Sequence, residues 1–82
     1  MKELILLAGL VGPNNCDDVQ VWDTWLRDQY GQEMVAVYTQ ETSPDVPLEL
    51  WKNSTNESYT ILAVPADDRR CYVTGGKIET GG

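Results

Sequence analysis

The 82-residue chain contains no histidine and no phenylalanine, six Lys and Arg in total, and two cysteines. Each shortage excludes something. Without histidine, the commonest general base and the commonest metal ligand are missing, and no Ser-His-Asp or Cys-His constellation can be assembled. Two cysteines without a partner His or a CxxC pair cannot close a tetrahedral zinc site. Six cations against 13 carboxylates leave a formal charge of −7. That balance argues against nucleic acid as a partner, because neutralising phosphates takes clustered Lys and Arg. The longest apolar run, Leu4-Ile5-Leu6-Leu7-Ala8-Gly9-Leu10-Val11, has eight residues. It is too short to span a bilayer as a helix. It reads either as a signal-like segment, poorly formed because Glu3 cancels Lys2 and no clean cleavage site follows, or as a retained segment of the core.

The remaining composition describes one small domain over residues 1–82. A chain of this length buries only about 60% of its unfolded surface and commonly carries a staple. Cys16 and Cys71 are the candidates for a disulfide; the other reading is two buried free thiols. The apolar segment occupies residues 1–12, and Gly12-Pro13-Asn14-Asn15 breaks it. The spacing of Val19, Trp22 and Leu26 then predicts a helix over 16–30, with Trp25 and Tyr30 on the flank of the apolar stripe. Asn14 or Asn15 is the expected cap, with Asp18 closing a capping box from Asn15. Asp23 and Arg27 stand four apart and can pair on the outer face. Gly31 is the expected left-handed terminator.

Beyond Gly31 the period changes from 3.6 to 2. Strands are expected over 34–40, 48–52, 58–64 and 70–74, within a strand region of 34–75, and a polar tail over 76–82. Two prolines place 41–47 in a surface loop. Short connections imply antiparallel neighbours. The expected fold is therefore α+β: one helix packed on a three- to four-stranded antiparallel meander, in two layers.

No catalytic, cofactor-binding or metal-binding set emerges. The pairs Asp17-Asp18 and Asp67-Asp68 read as helix-capping and turn acids, the second facing Arg69-Arg70. The sequons Asn53-Ser54-Thr55 and Asn56-Glu57-Ser58 read as a turn. Gly75-Gly76 follows a strand but opens no helix, so it is no phosphate loop. The three tryptophans replace phenylalanine as core volume. Leu50 and Trp51 alternate, so only one of them can face the helix. Trp25, Trp51, Tyr59 and Tyr72 form the candidate interaction surface.

The order of features from Cys16 onward resembles a group of small uncharacterised exported proteins of alphaproteobacteria and related phages. The resemblance rests on a Cys just before a helix, Tyr30-Gly31-Gln32, Leu48-Glu49-Leu50-Trp51, Ser58-Tyr59-Thr60-Ile61-Leu62, and Cys71-Tyr72-Val73 before a glycine pair. It implies a pairing of the two cysteines and a periplasmic or extracellular location after export. It implies no reaction. The expected function is that of a small acidic non-enzymatic binding or interaction domain. Its partner would be a protein, through a basic surface or by self-association, with no nucleic acid and no membrane span. The alternative is a phage accessory protein, either a virion component or an inhibitor acting in the host cytoplasm.

Overall fold

The computed structural model describes residues 13–77. The apolar run of residues 4–11, with the choice between signal and core, lies outside the described residues, as do residues 78–82. Five strands and one helix follow in the order β1 (Cys16–Asp18), α1 (Val19–Tyr30), β2 (Glu33–Tyr38), β3 (Leu48–Lys52), β4 (Ser58–Ala66) and β5 (Arg69–Lys77). All pairings are antiparallel, and the sheet order is β1-β5-β4-β3-β2. The expected meander is thus the run β2 to β5. The sheet has five strands because β1 adds to the free edge of β5.

That fifth strand corrects the expected helix start. Cys16, Asp17 and Asp18 pair with Cys71, Arg70 and Arg69, and the helix begins only at Val19. The cap is Asp18, with extended backbone at φ −62° and ψ 144°. Its carboxylate accepts the Gln20 N–H at 2.8 Å. Asn15 has a different role: its carbonyl accepts the Tyr72 N–H at 2.7 Å, carrying the edge pairing one step past β1. The Val19 N–H is donated to the Asp68 carbonyl in the β4–β5 turn at 2.9 Å. The helix is therefore anchored to the hairpin it covers from its first residue. Its far end follows expectation. Gly31 is left-handed at φ 60°, and the N–H groups of Gly31 and Gln32 return to the carbonyls of Arg27 and Leu26. Only glycine adopts this conformation at no steric cost.

The helix lies against one face of the sheet, and the register identifies which. Trp51 pairs with Thr60 and Glu49 with Leu62, and all four are buried. Trp22 and Leu26 descend onto them from the helix, with Trp25 packed alongside. Cross-strand partners share a face. Leu48, Leu50, Ile61 and Ala63 therefore lie on the opposite face, where they are partly buried. Among the described residues the apolar core of the helix layer is thin: Trp22, Leu26, Trp51 and Leu62. Two of these four are tryptophans, so the packing leans on the indoles for volume.

A covalent link supplements this core. Cys16 and Cys71 form a disulfide across the β1–β5 pair, with their Cα atoms 4.0 Å apart. The free-thiol alternative is thereby set aside. Strand β5 runs on through Gly75 and Gly76 to Lys77, past the glycine pair expected to end it. Gly75 stands where a Cβ would meet the Tyr59 carbonyl oxygen at 2.9 Å. The glycine is thus a requirement of strand approach.

Candidate functional site

One polar arrangement is buried within the helix layer. The Glu49 carboxylate is reached by Arg70 Nη2 at 3.0 Å and accepts the Trp51 indole N–H at 3.0 Å. The pair is about one-tenth exposed on each side, 12% and 10%. Arg70 Nη1 also donates to the carbonyls of Ala66, Asp67 and Arg69, so a single guanidinium ties the β4–β5 turn to β3. Arg70 turns to Glu49, not to the neighbouring Asp68 as the turn sequence suggested. Asp17 and Asp18 serve the local backbone. Asp17 accepts N–H groups from Asp18 at 2.8 Å and from Asn14 at 3.1 Å. These bonds, the Asp18 one foremost, with the charge of Arg69 adding to them, hold its carboxyl below its ordinary value of 3.8. A carboxylate held this way is a structural acceptor. Arg27 pairs with Asp23 and lies over the Trp51 ring, 5.5 Å from its centroid.

The sequons are likewise absorbed by a turn. Asn53 Nδ2 donates to the Tyr30 carbonyl at 2.7 Å, and its Oδ1 accepts from Thr55 and Asn56. The Asn53 amide thus closes the helix C-terminus from across the structure.

The feature that none of these local devices uses is a cleft between α1 and the β4–β5 ladder. It encloses about 400 Å³. Trp22, Trp25, Tyr30 and Tyr72 supply its aromatic wall, and Gln32, Ser58, Thr60 and Gly75 its polar floor. The rings brace one another. Trp22 stacks on Tyr72 with centroids 6.1 Å apart and planes 12° from parallel. Trp25 stands edge-on to Trp22 at 5.8 Å and to Tyr30 at 5.0 Å. The two tyrosines at its mouth are 45% and 42% exposed, Tyr30 and Tyr72 respectively. Gln32 donates through Nε2 to Ser58 Oγ at 3.2 Å. Its Oε1, however, has no hydrogen-bond partner among the described residues, and neither does Trp22 Nε1. Buried polar atoms without partners are uncommon and costly, and both residues line this cleft.

The four residues singled out from the sequence are distributed by the fold. Trp25 and Tyr72 come together in the cleft. Tyr59 contributes to its lining, but its register opposite Lys52 and Gly76 puts its ring on the other face of the sheet. Trp51 is buried under the helix, 4% exposed. Trp22, Tyr30, Gln32 and Ser58 were not singled out as a site. Trp22 carried a core signal, and Gln32 and Ser58 gave none, being single polar residues beside a turn and at a strand start.

No family model, curated protein or solved structure shows significant similarity to the chain. Among the described residues no helix is long and apolar enough to cross a membrane.

Proposed function

We propose that the chain is a small non-enzymatic binding domain that engages a protein partner through the cleft between α1 and the β4–β5 ladder. The observation that carries this reading is the braced aromatic wall opening to solvent at Tyr30 and Tyr72. Rings that are rigid, amphipathic and held by neighbours lose little freedom on binding, which is why Trp and Tyr dominate interface anchors. The cleft volume falls in the range of specific ligand sites. A net charge of −7 favours a basic partner and disfavours nucleic acid and anionic surfaces. The Cys16–Cys71 bridge suits an oxidising compartment, periplasmic or extracellular.

A photo-crosslinking amino acid placed at Tyr30 tests the reading in the producing cell. A discrete protein adduct is expected from that position, lost when Trp25 is also replaced by Ser. The same probe at Thr74, whose register with Ile61 puts it on the far face, should give none. No adduct from Tyr30, or equal adducts from both faces, refutes the assignment.

A further inference from the structure

Resting on the cleft as the recognition site for a protein, we infer that the group it takes is a substituted ammonium carried on a methylated lysine side chain of that partner. Three observations converge on that chemistry. The wall consists of ring systems, Trp22, Trp25, Tyr30 and Tyr72, and no charged side chain lines the cleft. Ring faces carry negative quadrupole density and attract an organic cation within about 6 Å of the centroid. The fold already makes such a contact where Arg27 lies over Trp51. The polar floor adds the negative end of a dipole, since Gln32 Oε1 is buried and without a hydrogen-bond partner among the described residues, which favours a cation over an anion there.

The field of the protein selects the sign of the ligand. Seven units of excess negative charge draw cations toward the mouth and repel anions. The unpartnered donor of the cleft, Trp22 Nε1, is a single neutral N–H, too little to hold an anion against that field. A substituted ammonium also suits the site better than a bare one. A primary ammonium is strongly hydrated and loses that shell at a cost on entering an aromatic wall, whereas methyl groups spread the charge and add apolar area.

The deciding comparison uses the full-length oxidised protein and a pair of isosteres. One is N-acetyl-trimethyllysine amide. The other is its neutral analogue, with carbon in place of the quaternary nitrogen. Tryptophan fluorescence and the indole N–H resonances report binding. The cation is expected to bind tighter by about fivefold to thirtyfold. That preference should vanish in Tyr72→Leu and in Trp25→Leu and persist in Thr74→Val on the far face. Choline as a third probe separates the sources. Choline is expected to bind more weakly than the lysine derivative, and equal or tighter binding overturns the assignment to a lysine side chain.

Equal binding of the two isosteres overturns the inference and leaves an apolar cleft that still serves the proposed function. Absence of binding by either isostere, or binding untouched by both leucine substitutions, overturns the inference as well. Whether the cleft then still engages a partner is read independently from the Tyr30 crosslink.

Discussion

Replacing Cys16 and Cys71 together by alanine tests how much of this fold depends on its covalent link. The bridge joins residues 55 apart in sequence. Closing a loop of that length in the unfolded chain stabilises the folded state by about 4 kcal/mol on the chain-entropy argument. Typical per-residue stabilities put a chain of 82 residues at about 4–12 kcal/mol in total. The bridge therefore carries between a third and all of it. The structure points to the upper half of that range. Among the described residues the buried apolar core is four side chains, and β1 has three residues to hold its edge pairing. Since α1 begins at the residue after β1, release of the edge strand also frees the helix cap at Asp18. Urea titration followed by both tryptophan fluorescence and far-ultraviolet circular dichroism measures the effect. With a urea slope of about 1–3 kcal/mol/M, the midpoint should fall by about 1–4 M. The slope itself should rise, because the unlinked unfolded chain is more expanded. A double variant within about 1 kcal/mol of the parent would refute the reasoning, and would mean that β1 and α1 hold by packing alone.

Three further outcomes follow from local features. Glu49→Ala removes the counter-charge of Arg70 and the acceptor of the Trp51 indole, and should cost about 2–4 kcal/mol by thermal unfolding; Glu49→Gln, which keeps the shape and an acceptor for the indole, should cost measurably less, and equal costs would assign the loss to the charge alone. Glu57 is a non-glycine residue at φ 62°, so Glu57→Gly should stabilise by about 0.5–1 kcal/mol in chemical denaturation, and destabilisation would show that its side chain contributes more than its backbone costs. The Asp17 carboxyl is held below its ordinary value by the Asp18 and Asn14 N–H groups. Its contribution is therefore complete above about pH 4, the unfolded-state value, and disappears as the pH falls through the lower folded-state value. Asp17→Asn should flatten the stability–pH curve in that acid window and leave its shape near neutrality unchanged.

The elements that could be read from sequence are those whose pattern is long and local. Strand β3 occupies the expected residues, and α1 ends where Gly31 demands. Strand β1 escaped because three residues carry no period, and its existence depends on Cys71, far along the chain. Periodicity also left open which of Leu50 and Trp51 faces the helix. The answer comes from Glu49, which shares the face of Trp51 and is buried there. A carboxylate on a strand reads as solvent-facing until Arg70, 21 positions later, supplies its partner. The cleft was legible only in part, through Trp25 and Tyr72. Its floor is assembled from a residue after a helix cap, a residue at a strand start and a glycine in β5, none of which signals the others locally.

The clamp between β1 and β5 has a mechanical meaning. Tension applied between residues 13 and 77 enters the fold at Cys16 and leaves at Cys71 through a covalent bond. The helix and strands β2 to β4 lie inside the closed loop and outside the line of force, whereas residues 72–77 of β5, with Tyr72 and Gly75 of the cleft, lie on it. About 190 Å of contour length is thereby withheld from extension for as long as the bond is intact. Stretching the oxidised protein should yield little more than its short flanks, whereas the reduced protein should pay out the whole hidden length at its unfolding event. Load would therefore reach the cleft first from its β5 side, at Tyr72 and Gly75, while α1 stays covalently held behind the bridge.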